Sequence, residues 1–170
     1  HLTHTQKINP KNVYGSYAGA IGLGQFMPSN YEAYGVDYDA DGYIRLQEPG
    51  DAIASVANYL KQNRWRRGEP VATRVKYEGM RFSAYKTGYK KTYDPKKLKG
   101  IELRDEWGYK GKVRLIKLNS KKYDELWFGA KNFFVITRYN HSAYYAMSVH
   151  QLAQKIKSKL AEEVDTHDEN

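Results

Sequence analysis

Apolar residues recur at intervals of three and four in two stretches of this chain. Ala52, Ile53, Val56, Ala57 and Leu60 place one stripe along a helix predicted over residues 49–62. Tyr145, Val149, Leu152, Ile156 and Leu160 do the same over a longer helix, from about residue 142 to residue 163, whose other face carries lysines. A shorter helix is expected over residues 28–34, with Ser29 and Glu32 at capping-box spacing and Gly35 placed to stop it. Upstream, residues 12–27 read as a short helix broken by glycines, and residues 1–11 as a polar connecting segment.

Between these helices the pattern shortens. Residues 70–77, 100–106, 112–118, 123–128 and 133–139 are short runs rich in Val, Ile, Tyr and Phe, separated by Gly, Asn, Asp and Pro. In the run GKVRLIKLN, Val113, Leu115 and Lys117 fall on one side and Arg114, Ile116 and Leu118 on the other. The pattern predicts a small antiparallel sheet inserted between helices, with residues 81–99, rich in lysine and tyrosine, as a long mobile loop inside it. The fold class is therefore α+β. Residues 1–68 form part of an α domain that includes a loop at 37–51, residues 69–139 form the β subdomain, and residues 140–163 form a helix returning to the α domain. Residues 164–170 are an acidic, frayed tail.

Composition narrows the classes. A chain of 170 residues suffices for one domain or two small ones with a sizeable core. No run reaches the length of a membrane span, and the first residues do not read as a signal peptide. His1-Leu2-Thr3-His4-Thr5 is not a natural start, so the chain is read as beginning inside a longer one. The absence of cysteine excludes disulfide scaffolds and cysteine-based zinc sites. The net charge of +9 is concentrated in the middle, where residues 60–122 hold 20 Lys and Arg against 6 Asp and Glu. Such a surface attracts polyanions. With Trp65 and Trp107 as stacking partners it would suit nucleic acid, although a merely solvated face explains the charge equally well.

The sharpest chemical signal is Asp37-x-Asp39-x-Asp41-Gly42, carboxylates at alternate positions before a glycine. Such groups repel one another unless a hard cation lies between them, and the spacing matches an EF-hand-like calcium loop, with Tyr43 in its seventh place, Ile44 in its hydrophobic place and Glu48 in its twelfth. Pro49 suits the first position of the next helix, which would set Asp51 in that helix's first turn, facing back toward the ion. Asp51 is the preferred closing ligand and Glu48 its rival. A solvated acidic turn is the plainer alternative.

Three blocks, GSYAGAIGLGQFMPSNYEAYGVDYDADGYI, DAIASVANYL and NFFVITRYNHSAYYAMSVHQLAQ, occur in the order found in the B-type lytic murein transglycosylases of bacteria, and the chain resembles that family. The resemblance covers roughly residues 9–59 and 132–154. It implies a lysozyme-like, mainly α-helical domain, incomplete in this chain, with the small β subdomain inserted and a structural Ca²⁺. It also implies periplasmic cleavage of the MurNAc-β-1,4-GlcNAc bond without water, leaving a 1,6-anhydromuramyl product. The implied partners are peptidoglycan strands, not nucleic acid, together with a missing N-terminal segment of the same enzyme, and peripheral or lipid-anchored association with the outer membrane.

The family's single acid lies in a helix upstream of the glycine-rich block, and no glutamate here matches it. Glu32 and Glu48 read as helix cap and ion-loop residues, and Glu102, Glu106 and Glu125 lie in the strand region. The catalytic glutamate is expected upstream of this chain; a non-catalytic peptidoglycan-binding module is the alternative. By the resemblance, Ser16 and Gln25 are the polar pair near the acid, and Tyr59, Tyr139, Asn140 and Tyr145 are sugar contacts. Glutamine offers donor and acceptor to an N-acetyl group, and tyrosine a flat face to a sugar ring. For any one of 16 tyrosines packing is the ordinary role. Phe26 and Met27 are assigned to the core, with lining of the same cleft as the alternative. His141 and His150 have no partner at metal-ligand spacing.

Overall fold

A computed structural model describes residues 15–79, 81–120 and 123–167. The chain divides into two compact units, His1–Arg64 and Trp65–Asn170. The predicted connecting segment over residues 1–11 and the first three residues of the helix expected over 12–27 lie outside the described residues.

The first unit opens with a turn and not with the expected helix. Residues 15–26 double back through the isolated bridges Gly15 to Ile21 and Ile21 to Phe26. Gly19 and Gly22 take φ values of 84° and 72°, and Gln25 takes 52°, so three left-handed residues in seven exclude a helix. Gly22 is required for a second reason: a Cβ there would lie 2.3 Å from the Cβ of Leu46. At the same point the Leu23 N–H donates to the Leu46 carbonyl at 2.7 Å.

Helix α1 (Pro28–Tyr34) follows. Pro28 sits in its first turn, so Met27 is the cap residue and no side chain caps the helix; Ser29 is already inside, and the capping box does not form. Gly35 ends the helix, as its position suggested, by donating its N–H to Tyr31. Helix α2 (Pro49–Gln62) also starts on a proline, with Asp51 in its first turn. Its buried face is Asp51, Ala52, Ser55 and Tyr59, whereas Ile53 is 71% exposed. The stripe predicted from apolar residues is thus rotated toward the polar Ser55, whose hydroxyl accepts the Val36 N–H at 2.9 Å. The buried Ser55 is thereby given a hydrogen-bond partner, while Ile53 is left in solvent.

The second unit is built on a four-stranded antiparallel sheet in the order β2-β1-β4-β3: β1 (Ala72–Tyr77), β2 (Ile101–Leu103), β3 (Arg114–Asn119) and β4 (Asp124–Gly129). Alternation sorts its side chains between two cores. Val75, Ile101, Leu115, Leu126 and Phe128 face one cluster, and Ala72, Ile116 and Leu118 the other. The first cluster is closed by Phe82 and Leu98. The 81–99 stretch, expected as a loose loop, therefore packs, through 3-10 turns at Arg81–Ala84 and Pro95–Lys97 and a two-way backbone bridge between Tyr93 and Val113.

The other cluster is closed by helices. Residues 133–139, read above as a strand, lie in helix α3 (Lys131–Tyr139). The reason is visible in the burial: Asn132, Phe133, Val135, Ile136 and Thr137 are covered, a helical face rather than an alternation. The last helix, α4 (Ala143–His167), inserts Ala146 and Met147 into the same cluster. Beyond them Val149, Leu152, Ile156 and Leu160, the predicted apolar face, are exposed. The architecture is α+β, and among the described residues no helix is long and apolar enough to cross a membrane.

Candidate functional site

The glycine turn of the first unit buries Ile21 and Phe26 and leaves Ser16 and Gln25 at its exposed rim. Ser16 Oγ accepts the Ala20 N–H at 3.1 Å, which leaves its own proton free to be donated. The Gln25 side-chain amide donates to the Gly22 carbonyl at 3.0 Å, so its oxygen and second N–H remain for a ligand. Tyr59, buried on α2, stands edge-on to Tyr34 at 4.7 Å and tilted against Phe26 at 6.3 Å, beneath this turn. Met27, assigned to the core from sequence, is 40% exposed.

The acidic loop follows in the same unit. Asp37, Asp39 and Asp51 each offer a carboxylate oxygen, and these oxygens lie within 4.8 Å of one another. Backbone amides hold them. Gly42 N–H donates to Asp37 at 2.8 Å, and buried Asp51 accepts from Tyr38 N–H at 2.9 Å and from Arg45 N–H at 2.6 Å. Asp41 lies outside this trio; its carboxylate is bound by the Arg45 guanidinium and by the Tyr43 N–H, which together lower its pKa. Asp39 accepts an amide N–H from Asp41, which favours its charged form, but desolvation and the neighbouring carboxylates Asp37, Asp41 and Asp51 prevail and raise its pKa. Tyr31, whose hydroxyl donates to the Ile44 carbonyl, is pushed up to about 12 by burial and then by Asp51. Oxygen donors of this kind at this spacing fit a hard divalent cation such as Ca²⁺. Glu48 is the residue before α2 and is exposed; it is not in the trio.

In the second unit Tyr139, Asn140 and Tyr145 share the corner between α3 and α4. Asn140 leaves the helix in extended conformation, and its carbonyl accepts the Ser142 N–H at 2.7 Å. Ser142 Oγ takes the Tyr145 N–H at 3.2 Å, which caps α4. Burial raises the pKa of the Tyr145 phenol. His141 is stacked at 4.5 Å on Tyr89, from the basic stretch over β3, a neighbour that sequence did not suggest. His150 is half-buried, and desolvation lowers its pKa against a backbone hydrogen bond at Ala72. The N-terminal end of α3 is anchored by Asn132, fully buried, which accepts Arg66 N–H at 2.9 Å and donates to the Arg66 and Glu69 carbonyls at 2.8 Å each.

A lone proton donor for glycoside cleavage needs an apolar pocket that keeps it protonated. Among the described residues the glutamates are either exposed, as at 32, 48, 78, 102, 106, 162 and 163, or ion-paired, Glu69 with Arg66 and Glu125 with Arg74. None of them is both buried and without a cation.

The family model described as the transglycosylase SLT domain matches residues 1–154. The membrane-bound lytic murein transglycosylase B of Escherichia coli K12 is 40% identical over 157 residues, which is 91% of this chain and 43% of that protein. The E. coli lytic transglycosylase Slt35, solved in complex with bulgecin A and in complex with calcium, superimposes with TM-scores of 0.85 and 0.84 at 39% identity, over 93% of this chain and 50% of that one. SltB3 of Pseudomonas aeruginosa, solved with NAG-NAM-pentapeptide, gives a TM-score of 0.79 at 31% identity, over 92% and 43%. The chain spans about half the length of these relatives. By the match over residues 1–154, it belongs to the transglycosylase SLT domain family.

Proposed function

We infer that this chain is the glycan-holding part of a peptidoglycan lytic transglycosylase, with a structural Ca²⁺ in an EF-hand-like loop. The observation that carries the reading is the glycine turn, which is shaped by left-handed backbone to leave Ser16 and Gln25 exposed with hydrogen-bonding capacity for acetamido groups. Tyr59, Tyr139, Asn140 and Tyr145 are the further sugar contacts. Asp37, Asp39 and Asp51 would hold the ion, with Asp41 and Tyr43 in the same loop, and its chemistry is to neutralise three crowded carboxylates. In this reading the ion stabilises the fold and takes no part in bond cleavage. In the same reading residues 69–139, a sheet followed by helix α3, are an insertion in a lysozyme-like α domain.

The reaction is proton transfer in both directions. An acid supplied from outside the described residues protonates the glycosidic oxygen as the bond to the muramyl anomeric carbon breaks. The muramyl 6-hydroxyl oxygen bonds to that carbon and returns its proton to the carboxylate, so no water is consumed. The role of the residues described is to fix the strand so that the 6-hydroxyl, and not water, is in reach. The 40% identity to a membrane-bound lytic murein transglycosylase supports a site of work in the periplasm, at the outer membrane.

One observation favours a second reading, a peptidoglycan-binding module: every described glutamate is exposed or ion-paired. Both are tested by mixing purified protein with murein sacculi and measuring co-sedimentation together with soluble products by mass spectrometry. Release of 1,6-anhydromuropeptides supports the enzyme. Co-sedimentation without release supports the module, and absence of both rejects a murein role.

A further inference from the structure

On β3, Arg114 lies directly opposite Gly129 of β4. A side chain at 129 would meet Phe134 at 3.1 Å and Ile116 at 3.2 Å, so the glycine opens the space in which the Phe134 ring lies under the Arg114 guanidinium, 4.3 Å from ring centre to Cζ. Tyr89 stands edge-on to Phe134 at 5.7 Å and stacks on His141 at 4.5 Å. It is held there because Gly88, at φ 100°, donates its N–H to the Leu115 carbonyl at 2.7 Å, stitching the turn to β3 beside Arg114. Arg114, Phe134, Tyr89 and His141 thus form a continuous row that ends one residue from Asn140.

The arginine in this row is half-buried, its Nε is buried with no hydrogen-bond partner, and among the described residues no carboxylate pairs with it. By contrast, Arg74 on the same sheet is paired with Glu125, and Lys117 with Asp124. A planar guanidinium stiffened by an aromatic ring and lacking an internal anion is arranged for a planar anion from outside. The surrounding 60–122 segment, with 20 cations against 6 anions, favours the same sign of ligand.

We propose that Arg114 binds a carboxylate of the stem peptide carried by the glycan strand, making peptide-bearing strands the preferred ligand. This rests on the reading of the Tyr139, Asn140 and Tyr145 corner as a sugar contact. The test compares wild type with Arg114→Met, which keeps apolar contact with Phe134, by calorimetric titration of three probes: GlcNAc-anhydroMurNAc-pentapeptide, the same disaccharide without peptide, and neutral chitotriose. The expected result is about tenfold weaker binding of the peptide-bearing probe alone. Equal loss on the peptide-free disaccharide would reassign Arg114 to the lactyl carboxylate and overturn the stem-peptide proposal. Unchanged binding of all three would overturn it while leaving the glycan reading intact. Failure of wild type to bind any probe would overturn both. A measurement on wild type does not depend on the variant folding: the Arg114 Nε–H resonance should move on adding the peptide-bearing probe and not with chitotriose, and a static resonance also rejects the proposal.

Discussion

Single residues decide whether the acidic loop is a metal site. Asp37, Asp39 and Asp51 bring three carboxylate oxygens within 4.8 Å of one another, and the amides that hold Asp37 and Asp51 satisfy each oxygen only in part. If Ca²⁺ binds the folded state alone, saturation at one hundred times its dissociation constant adds about 2.7 kcal/mol of stability. The expected outcome is a melting temperature several degrees higher in calcium than in chelator, and loss of that difference in the double variant Asp39→Asn, Asp41→Asn. Equal melting of parent and variant with and without chelator would remove calcium from the account. The alternation of aspartates was legible in sequence because it is local, and Asp37 and Asp39 of it meet Asp51 in the folded chain. The engagement of Asp41 by Arg45 was not, because charge spacing does not reveal which of several aspartates an arginine four residues away will take.

Among the elements, α3 shows where sequence patterning runs out. NFFVITRY is rich in β-branched and aromatic residues, and propensity assigns it to a strand. The decisive residue is Asn132, whose side chain holds the backbone of Arg66 and Glu69 through three hydrogen bonds spanning more than 60 positions, a partnership visible only in three dimensions. Asn132→Ala leaves buried backbone groups unsatisfied and should cost about 2–4 kcal/mol, read as a fall in denaturation midpoint with an unchanged slope. A loss under 1 kcal/mol would show that water replaces the amide. The alternation along β3 was legible in full, since Val113 and Leu115 face one core and Ile116 and Leu118 the other. The 81–99 stretch was not, because Phe82 and Leu98 carry no periodic signal even though they close a core.

For the molecule as a whole, the α+β class and the antiparallel sheet followed from pattern alone, whereas the identity of the chain came from separated blocks that composition does not encode. One contact in the first unit ties the glycine turn to the acidic loop. Gly22 and Leu23, within the turn that presents Ser16 and Gln25, are locked to Leu46, which leaves the acidic loop toward α2. There is no slack between them, since a single added carbon at Gly22 would collide with Leu46. If the turn holds glycan and the loop holds calcium, as proposed, the two are linked reciprocally: whatever factor calcium applies to sugar affinity, sugar must apply to calcium affinity. Titrating chitotriose with and without calcium, and calcium with and without chitotriose, should return one shared coupling factor of about five or more. A factor of one in both directions would mean that the Leu46 junction carries shape but no information, and that murein binding proceeds at the same strength in a calcium-poor envelope as in a calcium-rich one.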